Sequence, residues 1–264
     1  MPTTLDGTSY ELSGPAGAPC VVLIHGLGLN QACWQWTRPA LDDAYRVLSY
    51  DLFGHGQSAD PVETPSLSVF SRQLQALLDQ CGIDAACIAG FSLGGMIARR
   101  FAQDCPGRVR ALIVLHSSHK RSDAAQAAVV DRVVQARAQG ADAMVKDALE
   151  RWFTPAYRAG NPQMMDLVQR WITANRREIY HLNYHVLATG VDEVVAPDPP
   201  ISCPALVITG DQDSGSGPEM ARAIAAEIDG AQAVILKGLR HMALAEDPDS
   251  INQPVRRFLD GLGL

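Results

Sequence analysis

A chain of 264 residues with 47% hydrophobic and 19% charged content holds enough apolar material for one α/β domain with an elaboration. Its formal net charge is −7 and it has no long cluster of Lys or Arg, which argues against a nucleic-acid partner. Its apolar runs are strand-sized, so no transmembrane span is expected, and residues 1–7 lack the basic and apolar regions of a signal peptide, which points to the cytoplasm.

In chain order, Thr3-Thr4-Leu5 and Ser9-Tyr10-Glu11-Leu12 flank Asp6-Gly7, the signature of a β-hairpin at one edge of a sheet. Apolar runs follow at residues 20–25, 45–50, 85–89, 111–115, 205–209 and 232–236. Their unbroken apolar character predicts parallel strands covered on both faces. Helical patterns alternate with them. Leu67, Phe70, Leu74, Leu77 and Leu78 line one face of the first, residues 96–103 form the second, and residues 219–228 and 251–259 close the chain. The alternation predicts an α/β fold with a doubly wound, mostly parallel sheet of eight strands.

One stretch breaks the rhythm. Residues 123–138, 141–152, 162–175 and 177–187 read as helices without a buried strand among them, and Pro197, Pro199 and Pro200 mark the return. This divides the chain into core residues 1–118, a helical cap at 119–200 inserted after the sixth strand, and core residues 201–264. The six cysteines show no Cys-x-x-Cys spacing and read as free thiols in a reducing compartment.

The chemistry-bearing motif is Gly90-Phe91-Ser92-Leu93-Gly94-Gly95. It lies between a strand and a helix, the context a Gly-x-Ser-x-Gly nucleophile elbow requires. A serine hydroxyl needs a base, and the base needs an acid to fix its tautomer. On such a sheet the order is Ser, then acid, then His. Asp211 and Asp213 both follow the strand at 205–209, and both are open as the acid. Of the seven histidines only His241 follows the last strand. Attack on a carbonyl also calls for fixed N–H donors to the oxyanion. The backbone N–H of Leu93 supplies one, and the loop after the strand at 20–25 is placed to supply the other. No His/Cys/Asp set has metal-ligand spacing and no Gly-x-Gly-x-x-Gly follows a strand, so neither metal nor cofactor is expected.

These segments resemble the α/β-hydrolase superfamily. The likeness rests on His25-Gly26-Leu27-Gly28, on Asp51-Leu52-Phe53-Gly54-His55-Gly56-Gln57-Ser58, on the elbow, on Gly210-Asp211-Gln212-Asp213, and on Gly238-Leu239-Arg240-His241. It covers residues 20–118 and 203–262. It implies Asp213 as the acid, His241 as the base and Leu27 as the second oxyanion donor. It leaves His25, Asp51 and His55 structural. Ser92 separates the chain from dehalogenases of this fold, which carry aspartate at the elbow.

Within the superfamily the core resembles small bacterial 3-oxoadipate enol-lactonases and carboxylesterase-type serine hydrolases. That resemblance implies cleavage of an ester or (enol-)lactone through an acyl-enzyme on Ser92, with a small molecule as partner. Self-association as a homo-oligomer stays open. A carboxylate on the substrate would call for a cation near the pocket, with Lys120 and Arg121 as candidates against the alternative of a solvated basic turn. Trp34, Trp152 and Trp171 are candidate pocket walls against the alternative of packing. Other chemistries on this fold are carbon–carbon bond hydrolysis, perhydrolysis, and a receptor-like binding protein with residual hydrolysis. Leu29-Asn30 departs from the Pro-Gly common in the carbon–carbon hydrolases.

Overall fold

The computed structural model describes residues 1–264. Seven strands form one sheet: β1 (Tyr10–Ser13), β2 (Cys20–Ile24), β3 (Arg46–Tyr50), β4 (Ala86–Phe91), β5 (Val109–Leu115), β6 (Ala205–Gly210) and β7 (Gln232–Leu236). Their spatial order is β1-β3-β2-β4-β5-β6-β7. Only β1 runs antiparallel, against β3. Every residue of β2, β4 and β6 is buried, as the continuous apolar runs require of strands covered on both faces.

The sheet has one strand fewer than the sequence pattern predicts. The hairpin at Asp6-Gly7 forms, but its first arm amounts to a single bridge between Thr3 and Ser9. Three residues are too few for a ladder, and the Thr4 hydroxyl takes the Thr8 N–H at 2.8 Å. The helical insertion therefore follows the fifth strand in chain order.

Helices α1 (Leu67–Gln80) and α2 (Leu93–Asp104) connect β3 to β4 and β4 to β5. The Ser66 hydroxyl caps α1 by accepting the Val69 N–H. The predicted stripe of Leu67, Phe70, Leu74, Leu77 and Leu78 is wholly buried. Between β5 and β6 lie α3 (Asp123–Gln139), α4 (Val145–Trp152), α5 (Pro155–Gly160), α6 (Pro162–Thr173) and α7 (Arg177–Thr189). Of these, α5 is invisible to periodicity, because six residues make too short a pattern. Its boundaries are set by the Thr154 cap, which accepts the Tyr157 N–H, and by Pro at its first position. After β6 come α8 (Pro218–Ala226), α9 (Ala243–Glu246) and α10 (Pro248–Asp260). No helix is long and apolar enough to cross a membrane.

The chain runs from β2 outward to β3, then returns to β4 on the other side of β2. The order reverses between β2 and β4, and the crevice beyond the C-terminal ends of strands at such a point is where this architecture binds ligands. The His25–Leu29 loop and the Ser92 elbow both leave the sheet there.

Candidate active site

The elbow is built as its glycines demand. Ser92 has φ 56° and ψ −115°, a backbone region costing about 1–3 kcal/mol for a non-glycine residue. A Cβ on Gly90 would sit 2.1 Å from the Gly94 carbonyl oxygen, and one on Gly94 would sit 2.2 Å from that of Ile24. Only glycine lets the turn close so tightly against β2. The Ser92 N–H is fixed by donation to the Leu115 carbonyl at 2.8 Å. Leu93 opens α2, whose first-turn N–H groups have no intrahelical acceptor and carry the positive end of the helix dipole.

Asp213 and His241 meet above β6 and β7. The His241 Nδ1–H donates to Asp213 Oδ2 at 2.7 Å. Asp213 Oδ1 accepts the Gly215 and Ser216 N–H groups, both at 3.0 Å. Burial by itself would push the Asp213 carboxyl up. The His241 imidazole and the donors from His116 and His241 override it and hold the carboxyl well below the usual range. His241 lies between Phe91 and Trp152, with ring centroids 5.0 and 6.0 Å away. Its loop is tied to the end of α4 by the Met242 N–H, which donates to the Trp152 carbonyl at 2.9 Å, and by Arg240, which donates to the Glu150 carbonyl at 2.6 Å. The insertion thus helps to seat the histidine. No hydrogen bond joins the Ser92 hydroxyl to His241 in this structure. The two line the same cleft, and such contacts commonly tighten only around substrate.

The other aspartate sits elsewhere. Asp211 accepts the Gly238 N–H at 2.8 Å and faces Lys237 at 3.6 Å, bracing the β6 and β7 loops against each other.

The loop carrying Leu27 is held from three sides. A Cβ on Gly26 would lie 3.1 Å from the Ser92 Cβ, so the loop runs directly beside the elbow. The Gly28 N–H donates to His55 Nε2 at 3.2 Å, and the Leu52 N–H donates to His25 Nε2 at 3.0 Å. From the insertion, Asn175 donates to the Gly28 carbonyl at 3.0 Å. Both histidines accept at Nε2, so both are neutral. Burial lowers His25 to about 4, against the opposing pull of the Gly26 carbonyl. Burial, with His25 nearby, lowers His55 to about 3.

An unfolded histidine titrates near 6.5, so the unfolded chain takes up protons below that pH while these rings do not. Their stabilisation is fully present above pH ~6.5 and is lost as the pH falls below it, on the order of 2 kcal/mol per ring by pH ~5. Urea unfolding at pH ~7.5 and ~5 is expected to show a lower midpoint at the acid pH, reduced in size in His55→Gln. Equal midpoints for the wild type would contradict the assignment of buried neutral rings.

Ser92, Asp213, His241 and Leu27 line one cleft of about 700 Å³, including its open mouth. Trp152 also lines it, as do Arg121, Arg132, Tyr180 and Tyr184. Three residues singled out as substrate contacts do not reach it. Trp34 is 0% exposed in the core beneath the Gln31–Trp34 turn. Trp171 is buried edge-on against Trp36, with centroids 6.3 Å apart. Lys120 is exposed to solvent. Arg121 reaches the cleft, but its guanidinium is committed to the carbonyls of Leu187 and Ala188 at 3.0 and 3.3 Å, where it caps the C-terminal end of α7.

The cation that sequence reasoning missed is Arg132. It sits in mid-α3, and in sequence it reads as one more polar position on a surface helix. Its Nε donates to the Tyr184 hydroxyl at 2.9 Å, and no Asp or Glu lies in ion-pair range of it. Arg151, also on the cleft wall, is paired with Asp147 at 2.8 Å. Asp213, His116 and His241 bring potential metal-ligand atoms within 4.8 Å of one another. The Nδ1 atoms of His116 and His241 both lie in hydrogen-bond range of Asp213 Oδ2, at 2.9 and 2.7 Å.

With this fold and geometry, the chain belongs to the alpha/beta hydrolase family, whose profile matches residues 21–253, and it is a hydrolase. It is similar to the 3-oxoadipate enol-lactonase 2 of Acinetobacter baylyi, with 28% identity over 95% of this chain and 92% of that one. It is equally similar to that organism's (E)-2-((N-methylformamido)methylene)succinate hydrolase, with 28% identity over 96% of this chain and 94% of that one. Among solved structures, the enol-lactonase from Burkholderia xenovorans LB400 superposes with a TM-score of 0.88 at 28% identity, covering 96% of each chain.

Proposed function

We propose that the protein is a serine hydrolase that cleaves a carboxylic ester or (enol-)lactone bearing a second, free carboxylate. The observation that carries the hydrolytic part is the Asp213 Oδ2 to His241 Nδ1 contact of 2.7 Å in the cleft that also presents Ser92 on its strained elbow. Ser92 Oγ attacks the carbonyl carbon as His241 Nε2 takes the hydroxyl proton. The oxyanion is held by the backbone N–H groups of Leu27 and Leu93. Collapse of the tetrahedral intermediate breaks the bond to the leaving oxygen, which receives the proton from His241. In a lactone that oxygen stays tethered to the acyl group. Water then attacks the acyl-enzyme, giving its proton to His241, and release of the acid restores the Ser92 hydroxyl. Asp213 keeps His241 in the Nδ1–H tautomer throughout.

The carboxylate preference rests on Arg132. It is the guanidinium on the cleft wall with neither a carboxylate partner nor a set of backbone carbonyls to satisfy it. The names of both Acinetobacter relatives refer to derivatives of dicarboxylic acids, which agrees with such a cation. A hydrogen-bonded charge of this kind contributes about 1.5–3 kcal/mol. Arg132→Leu is therefore expected to lower kcat/KM for a lactone acid by roughly 10- to 100-fold, and to leave its methyl ester within about twofold. A panel of esters and lactones of graded length and charge, run on both proteins, checks this. An equal loss for acid and methyl ester would remove Arg132 from the carboxylate site.

A further inference from the structure

The candidate acid serves two histidines. His116 follows β5 directly, with its N–H continuing the ladder by donating to the Ile208 carbonyl at 2.8 Å. Its φ is 48°, a left-handed conformation that a residue with a Cβ adopts at a cost. Its ring is 0% exposed. Its Nδ1 lies 2.9 Å from Asp213 Oδ2, the same oxygen that His241 Nδ1 contacts.

The protonation of His116 follows from its partners. Thr209 Oγ1 stands 3.3 Å from His116 Nδ1 and gives its own proton to the Ser216 carbonyl at 2.6 Å. Toward His116 it can only accept, as can the carboxylate. Nδ1 must therefore carry the hydrogen. Nε2 is buried and has no partner. A proton there would be an unsatisfied buried donor, so the ring is a neutral Nδ1–H donor. Burial accordingly lowers its pKa, against the pull of Asp213. The groups around it are Phe91 at the end of β4, Thr209 and Asp213 from β6 and its loop, and His241 beyond β7. Asp213 is the one carboxylate among them.

We propose that His116 is a positioning residue of the site: its Nδ1–H fills the second lone pair of Asp213 Oδ2 and keeps that oxygen turned toward His241. With Gly215 and Ser216 N–H groups on Oδ1, all four acceptor directions of the carboxylate are used. The carboxylate can then neither rotate about its Cβ–Cγ bond nor take up a water in place of His241. The strained backbone of His116 is the cost of aiming its ring at that oxygen. This inference rests on the roles proposed above for Ser92, His241 and Asp213.

Two variants and one spectrum test it. His116→Leu removes the donor and keeps much of the bulk. His116→Asn keeps an N–H near the Nδ1 position and tolerates a left-handed backbone. Outer-shell partners that orient metal-bound histidines typically matter 10- to 100-fold, and a group orienting His241 through Asp213 is set by analogy in that range. His116→Leu is expected to lose kcat by about that factor with KM within about twofold, and His116→Asn to recover most of the loss. Nitrogen NMR of the histidine-labelled wild type is expected to show His116 protonated at Nδ1 and bare at Nε2 at about pH 7.5, above the ordinary histidine range. This reading holds even if the leucine variant fails to fold. The proposal is overturned if His116→Leu keeps wild-type kcat, if both variants lose kcat equally, or if the spectrum shows Nε2 protonated. Ser92→Ala, assayed beside them, separates the two levels: turnover that survives in it sinks the underlying serine-hydrolase reading, whatever His116 does.

Discussion

Ser92→Ala is expected to lose kcat by roughly 10⁴-fold or more toward any ester or lactone the enzyme turns over, with its thermal midpoint nearly unchanged. The hydroxyl makes no hydrogen bond whose loss would destabilise the fold, and alanine inherits the same left-handed backbone at φ 56°. The strain therefore stays while the nucleophile goes. His241→Ala is expected to lose a similar factor, and the double variant little more, because nucleophile and base act as one unit. Steady-state kinetics with an activated ester, alongside thermal melting, checks all three. Additive losses in the double variant would mean that the two residues do not share a step.

Asp213→Asn is expected to fall by about 10⁴-fold in kcat, and Asp211→Asn by less than about threefold. The asymmetry comes from hydrogen-bond polarity. Asp213 receives four donors, two imidazole N–H groups on Oδ2 and two backbone N–H groups on Oδ1. An asparagine must point its NH2 at one pair or the other, so two donors face a donor whichever way it lies. Facing the imidazoles, it drives His241 to the wrong tautomer. Facing the backbone, it breaks the loop that carries it. Asp211 accepts the Gly238 N–H and faces an exposed lysine, and an asparagine oxygen can replace it there. A reversed pattern, with Asp211→Asn inactive and Asp213→Asn unaffected, would transfer the acid role to Asp211.

Much of this is legible in the sequence because the parts are local. The elbow needs only six consecutive residues, since a Cβ on either flanking glycine would come within 2.1 or 2.2 Å of a backbone carbonyl oxygen. His241 is readable from its place after the last strand, whereas position alone leaves Asp211 and Asp213 both open and only the resemblance selects Asp213. What the sequence hides depends on distance along the chain. His116 meets its partner across 97 positions, and as a lone histidine after a strand it carries no signal. Arg121 looks like a free cation in its basic turn, and only the fold shows that carbonyls 66 and 67 residues away consume it. Arg132 looks like an ordinary helix residue, and only the fold shows that it lines the cleft with the Tyr184 hydroxyl rather than a carboxylate as its partner. Tryptophan is ambiguous in the same way: Trp152 flanks His241, whereas Trp34 and Trp171 are buried outside the cleft. The early hairpin shows that a turn signal can be right while the strand count is not.

If Ser92 becomes covalently attached to the acyl group, a fluorophosphonate will mark it, because that reagent phosphonylates an activated serine far faster than ordinary side chains and leaves an adduct that water releases only slowly. One label per chain is expected by intact mass, located on the peptide containing Ser92, with activity lost in proportion to labelling and no label in Ser92→Ala or His241→Ala. Full activity in the completely labelled protein, or a label that persists in Ser92→Ala, would contradict it.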